Sequence, residues 1–291
     1  MADNVKFSGV NDLGYINMLI YGPFGSGKTL LAASAQECPE FANVLFADAE
    51  GGFKSIRDFG YQVDSYRINT FKAFNKLYEF AKTHCKLRDV FINLQDKKDS
   101  PEYEAARQRL IKLEAWMKEV PEESIKEPKI YRTIVVDSLT EVQKYAMYHI
   151  LGIDINEVAL DQDISIPKIQ DWGKNSEMIR MLVRAFRDLD MHTIFTTLDS
   201  SEKDETDGKI AITPSLPGKL SKEVPAFVDI VGYMHVVPNK NQPDNPQRML
   251  QVQPMGKYNA KSRYKSLGVY IEDPTISKMF ALINADRKIG K

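Results

Sequence analysis

Cysteine is nearly missing from this sequence: Cys38 and Cys85 are the only two in 291 residues. Two distant cysteines make neither a disulfide framework nor a zinc site, and a reducing cytoplasm fits them best. No run of about eighteen apolar residues occurs, so no membrane-spanning helix is expected. The opening MADNVKFSGV has no basic segment followed by an apolar block, so no secretory leader is expected either. Charge of one sign is also lacking. The 39 Lys and Arg against 40 Asp and Glu leave a net charge of −1. No global positive field draws nucleic acid, and any such contact must come from a local patch. Repeats, low-complexity tracts and a convincing linker are absent. The chain therefore reads as one domain over residues 1–291, with enough length to bury a sizeable core.

What is present begins with YINMLIYGPFGSGKTLLAASAQECPE. Ile16, Met18, Leu19, Ile20 and Tyr21 suit a buried strand, and Leu30 to Ala35 suit a helix that Pro39 stops. Between them Gly22-x4-Gly27-Lys28-Thr29 is the Walker A pattern. Its chemistry predicts a phosphate cradle from main-chain N–H groups over Gly22, Pro23, Phe24, Gly25, Ser26, Gly27, Lys28 and Thr29. Lys28 would reach the β and γ phosphates, and Thr29 would ligate magnesium. ATP and Mg2+ are the expected cofactors.

A second signal is KIYRTIVVDSLTEV at 129–142, a β-branched run ending in Asp137. This reads as a buried strand whose final carboxylate holds magnesium through water, a role compatible with starting the next helix. Hydrolysis also needs a group that orients the attacking water. The position after Asp137 is Ser138, so that group must come from elsewhere. Glu141 reads as a solvated helix residue. Glu50 is the stronger candidate, because NVLFADAEGG at 43–52 places it just past a strand end, with Asp48 as a support of the loop.

The glycine loop, FADAEGG and TIVVDSLT, in that order, resemble the RecA-like ATPase core. The likeness is nearest to compact phage-encoded RecA-like proteins of the nucleotide-binding or AAA-domain type, some of which act in single-strand annealing and recombination. MHTIFTTLDS at 191–200 resembles the sensor strand, although RecA has a glutamine where Thr196 and Thr197 stand; Thr197 is the expected nucleotide contact. YNAKSRYKSLG at 258–268 is similar to a Lys-x-Arg element whose cations reach a neighbouring subunit's γ-phosphate. The resemblance thus implies an α/β fold with a mainly parallel sheet and helices on both faces. It also implies trans-acting Lys261 and Arg263, and a homo-oligomer, ring or filament. Single-stranded DNA and a single-strand-binding protein become candidate partners in an infected or bacterial cytoplasm, with no membrane.

Around this core an N-terminal arm (1–13), a charged helical insertion (96–130) and a basic hairpin segment (239–265) are expected. TFKAFNKLYEFAKTH at 70–84 has helical spacing with Thr70 as cap, and DVFINL at 89–94 is a strand or an apolar connector. Leu110, Leu113 and Met117 form a helical seam with Trp116 as a buried anchor. Residues 152–172 and 200–218 read as acidic loops, the wrong sign for phosphate, with a helix resuming at 173. In 239–265, Lys240, Arg248, Lys257, Lys261, Arg263 and Lys265 stand against Asp244 alone, interleaved with Tyr258 and Tyr264, as single-strand binding favours. His192 and His235 read as core. The leading reading is an oligomer- or DNA-activated ATPase on single-stranded DNA in recombination or annealing. The alternatives are a nucleotide-gated scaffold with slow hydrolysis and no DNA binding, or a helicase-type motor.

Overall fold

The structure, a computed structural model, describes residues 14–154, 166–203, 210–239 and 246–289. In chain order its elements are β1 (Asn17–Tyr21), α1 (Lys28–Ala33), β2 (Val44–Asp48), α2 (Phe53–Asp58), β3 (Asp64–Arg67), α3 (Phe71–Asn93), α4 (Pro101–Lys118), β4 (Thr133–Asp137), α5 (Leu139–Ile150), α6 (Ile169–Arg187), β5 (His192–Thr197), β6 (Asp199–Lys203), β7 (Ile210–Pro214), α7 (Leu220–Phe227), β8 (Ile230–Val237), β9 (Gln247–Gln251), β10 (Lys261–Ser262), β11 (Tyr270–Glu272) and α8 (Ile276–Ile289). The described residues form a nine-stranded sheet in the order β11-β9-β8-β1-β5-β4-β2-β3, with β10 beside β8. From β8 to β3 all neighbours are parallel, whereas β9, β10 and β11 pair antiparallel at one flank. This is the expected α/β architecture, the RecA-like P-loop fold.

Strict alternation along the central strands builds two cores. Leu19 and Tyr21 of β1, Leu45 and Ala47 of β2, and Ile134 and Val136 of β4 face α3, α5, α6 and α7. Met18 and Ile20, Val44 and Phe46, and Val135 face α1, α2 and α8. A period of two on strands buried on both sides forces this division.

The 70–84 helix forms with its cap, the Ala73 N–H donating to Thr70 Oγ1 at 3.1 Å. It is longer than expected. Residues 89–94 are no strand; they are almost entirely the last turns of α3, because Leu87 and Phe91 share one face against Ala106 and Leu110 of α4. The 96–130 stretch supplies α4, whose Leu110 and Met117 are buried with Leu113 partly so. Trp116 is not the buried anchor expected, being 48% exposed with the Lys76 ammonium 5.2 Å over its ring. The helix after 152–172 starts at Ile169, four residues early, and residues 155–165 lie outside the described residues. In place of an irregular 200–218 loop, β6 and β7 pair as a two-stranded ribbon. β8 and β9 form the expected hairpin. Residues 1–13, 204–209 and 240–245 also fall outside the description. Among the described residues no helix is long and apolar enough to cross a membrane. Cys38 and Cys85 are both free and buried.

Two buried histidines are held neutral. His192 lies under Phe41 with ring centroids 3.7 Å apart, and its Nδ1 accepts from the Ile16 N–H at 2.9 Å. His84 packs between Phe80 and Tyr131, its Nε2 3.1 Å from Lys129 O and 3.3 Å from Tyr131 N. Burial pulls both imidazoles down to about 4. The unfolded chain therefore takes up protons that the folded chain refuses, and stability falls as pH drops from about 6.5 toward 4. The double variant H84Q/H192Q should flatten urea midpoint against pH in that window relative to wild type. Each histidine should account for up to roughly 3 kcal/mol of the difference.

Candidate functional site

β1 ends at Tyr21, whose hydroxyl shares its one proton between Ile212 O at 3.0 Å and Asn259 O at 2.9 Å, fixing the strand tip from which the glycine loop departs. The loop turns tightly, with the Ser26 N–H on Pro23 O at 3.3 Å and the Leu31 N–H on Gly27 O at 2.9 Å. Gly22 permits the passage: a Cβ there would lie 2.1 Å from the main-chain oxygen of Met234 on β8. Lys28 is buried, and its Nζ donates to Gly22 O and Pro23 O, each at 2.9 Å. Burial draws its ammonium pKa down, opposed first by Glu50 and then by Asp137. Phe24 stands at the loop tip, 90% exposed.

Asp137 closes β4, one strand removed from β1 because β5 runs between them. Both neighbours reach it. The Thr29 hydroxyl donates to Oδ2 at 2.7 Å, and the Thr196 hydroxyl at the end of β5 donates to Oδ1. Exclusion from water pushes the Asp137 carboxyl up to about 6, against the two hydroxyls and Lys28, which stabilise the anion; Glu50 adds to the rise. The hydroxyl of Thr29 and the carboxylate of Asp137 are hard oxygen donors that suit a magnesium ion bringing its own waters and phosphates. Among the described residues no three His, Cys, Asp or Glu side chains converge as a metal cage.

Glu50 comes to the same edge by a different route. Asp48 ends β2 and is buried. Its Oδ1 accepts from the Gly51 N–H at 2.7 Å and the Gly52 N–H at 3.0 Å, and Arg67 Nη1 lies 3.2 Å from Oδ2. The Ala49 N–H donates to Asp137 O at 2.7 Å, and the Tyr145 hydroxyl donates to Ala49 O at 3.2 Å. Glu50, on the turn so fastened, accepts a hydrogen bond from the Ser138 hydroxyl. The Asp137–Ser138 peptide is cis. A Cβ on Gly52 would lie 3.6 Å from Asp137 Oδ2 and 3.7 Å from Thr29 Cγ2, which shows how closely the three segments meet.

The structure therefore brings together Gly22 to Thr29, Asp137 and Glu50. Ser138 and Thr196 join them without having been singled out for these roles. The Thr197 hydroxyl turns to Leu198 O at 2.8 Å, so Thr196 is the threonine that meets Asp137. Lys261 and Arg263 are not at the chain's own loop. β10 pairs with the first residues of β8, whereas the glycine loop follows the last residue of the parallel β1. Lys261 Nζ donates to Pro225 O, Ala226 O and Val228 O at 3.2, 3.3 and 2.9 Å. Arg263 Nη1 pairs with Asp229 Oδ1 at 3.0 Å. His192 and His235 lie outside the cluster; His235 stacks beside Tyr233 and Tyr258, whose own rings stack 4.2 Å apart.

Gly22→Ala would force its methyl into Met234 O, and the two strand ends cannot part without breaking the β1–β8 ladder. The variant should lose more than about 2 kcal/mol in urea unfolding.

No curated protein matches the chain at a significant level. Among solved structures, the RadB recombinase aligns with 89% of this chain and 86% of its own, at 13% identity and a TM-score of 0.35. The pCW3 conjugation coupling protein TcpA, as a monomer with ATPγS, aligns with 76% of this chain at 15% identity and a TM-score of 0.33, and the match spans 49% of TcpA. Residues 15–264 match the AAA_24 family model, described as "AAA domain", and the chain belongs to that family.

Proposed function

We propose that the chain is an ATPase that binds Mg-ATP on Gly22 to Thr29 and hydrolyses its terminal phosphate. The observation that carries this reading is the convergence of three strand tips: the loop after β1, Asp137 on β4, and Glu50 beyond β2, the last two joined through Ser138. The loop's main-chain N–H groups and Lys28 hold the phosphates and neutralise their charge. Magnesium, held by Thr29 and Asp137, supplies further neutralisation of the phosphate oxygens. Glu50 accepts a proton from a water as that water's oxygen bonds to the γ-phosphorus. The bond to the β,γ-bridging oxygen breaks, leaving ADP and inorganic phosphate. Ser138 positions Glu50, and Asp48 holds the turn that carries it.

The remaining residues favour action in an assembly. Lys261 and Arg263 face away from their own site, where a second copy could use them, and cations delivered in trans make turnover depend on oligomerisation. The substrate polymer we infer is single-stranded DNA in recombination or annealing in the cytoplasm, with the basic hairpin flank and the half-buried rings of His235 and Tyr258 as the sequence-tolerant surface. A nucleotide-gated scaffold is the second reading. It is favoured by the internal bonds of Lys261 and Arg263, which must be given up before either can serve another subunit.

Glu50→Gln should keep Mg-ATP affinity within about threefold and lower kcat by roughly a hundredfold or more. Unchanged turnover would remove Glu50 from its role. ATPase rate against protein concentration, with and without single-stranded DNA, separates the two readings. A specific rate that rises with both, and falls with salt, supports the DNA-dependent oligomer; a slow rate indifferent to DNA supports the scaffold. Lys261→Ala mixed with Lys28→Ala should recover activity that neither has alone.

A further inference from the structure

The flank of the glycine loop away from Asp137 and Glu50 holds a cation with no role so far. Arg248 lies on β9 opposite Val236 of β8, on the same face as the Met234–Leu250 pair. Its side chain crosses to the loop. Arg248 Nε and Cδ lie 2.7 and 2.9 Å from where a Cβ of Gly27 would sit, and Met234 Cε lies 3.5 Å from that point. Gly27 is thus bare on the side that the arginine stem covers.

The guanidinium at the end of this stem is unspent. Its Nε is sealed from solvent and has no hydrogen-bond partner. Among the described residues no carboxylate pairs with it. The nearby acid is used otherwise: Asp273 Oδ1 accepts from the Arg248 main-chain N–H at 3.1 Å, and the Asp273 N–H donates to Arg248 O at 2.7 Å. Asp273 therefore fixes the backbone of Arg248 and leaves its charge alone. The arginine thus lies against the glycine loop with a buried donor that no group satisfies, a cost that a bound anion removes.

The order of strands says which part of a nucleotide lies there. Asp137 and Glu50 come from β4 and β2, on one side of β1, and the reacting γ-phosphate must lie toward them. β8 and β9 are on the other side of β1. The α-phosphate end of the triphosphate then faces Arg248. We propose that Arg248 is a nucleotide ligand acting in cis, pairing with the α-phosphate end of ATP or ADP. This assigns to nucleotide binding a residue whose place in the basic segment 239–265 suggested DNA. It rests on the nucleotide-binding reading of the loop. Charge on the α-phosphate changes little as the γ-phosphoryl group leaves, so the contact serves ground state and transition state alike and belongs in affinity, not in kcat.

The test is titration calorimetry of the full chain with Mg-ATP and Mg-ADP, with kcat measured at saturating ATP. Arg248→Met keeps a long stem over Gly27 and removes the charge; Arg248→Gln is a second neutral variant should the first fail to fold; Arg248→Lys keeps the charge. Both neutral variants should weaken ATP and ADP by about tenfold or more, to a similar extent, with kcat within about twofold of wild type. Arg248→Lys should recover much of the loss, which a purely structural role would not predict. Unchanged nucleotide affinity in a folded neutral variant overturns the assignment. So does a loss confined to kcat, or a loss confined to a labelled single-stranded oligonucleotide. Should wild type bind neither nucleotide, or Lys28→Ala bind as well as wild type, the nucleotide reading itself fails, an outcome distinct from an indifferent Arg248.

Discussion

Asp137 is a carboxylate that water barely touches, and two hydroxyls stand in for the missing solvent. Without them a buried anion at the tip of β4 would be costly. With them the same carboxylate ties the first turn of α1, through Thr29, to the end of β5, through Thr196. The glycine loop is thereby held in register with β5, the neighbour of the strand it leaves, and with β4 beyond it. The raised carboxyl and the lowered ammonium of Lys28 have the same origin, because both charges are taken out of water on the same small patch. Each ion lessens the shift that burial imposes on the other.

A second layer hangs on that arrangement. The main-chain oxygen of Asp137 receives the Ala49 N–H, so the turn leaving β2 is laid against β4 at the position where Asp137 is fixed. Asp48 then organises the turn from below by taking two successive glycine N–H groups on one oxygen. Its other oxygen meets Arg67, a surface ion pair with Arg67 about half exposed, so the contribution of that contact is small. What places Glu50 is therefore mainly backbone, with Ser138 setting the last degree of freedom. Ser138, the residue following Asp137, thus presents the carboxylate of another strand instead of supplying one.

Much of this was legible in the sequence, for a physical reason in each case. The glycine loop and the β4 run are contiguous signals, written within one strand and its exit, and both appear where expected. Thr196 and Ser138 were not assigned their partners because those partners lie 59 and 88 residues away, and no local pattern encodes which oxygen a hydroxyl will face. DVFINL is apolar enough for a strand; only the facing surface of α4 makes it the end of a helix. Trp116 shows the converse, since helical spacing fixes which side of α4 it occupies but not whether anything covers that side. β6 was missed because Asp-Ser-Ser-Glu-Lys has no apolar alternation, and its pairing with β7 rests on the main chain and on polar side-chain contacts such as Ser200 with Thr213.

The sheet also separates two chemistries. β1, β2, β4 and β5 run the same way, so the loop, Asp137, Thr196 and Glu50 share one edge. β10 enters antiparallel beside the start of β8, which sends Lys261 and Arg263 to the opposite edge. Lys261 is level with Val231, and Val231 with Leu19, three residue steps short of Gly22; Arg263 lies beyond Ser262, which is level with Ile230 and Met18, four steps short. At a rise of about 3.3 Å per residue the gap is roughly 10 Å for Lys261 and more than about 13 Å for Arg263 along the strands, too far for either side chain to bridge. Arg248, by contrast, sits two residues of ladder beyond Met234, at the height of the loop itself. The basic segment is therefore not one functional patch. Its two halves lie at opposite ends of the parallel strands. Only the β9 half lies level with the chain's own glycine loop.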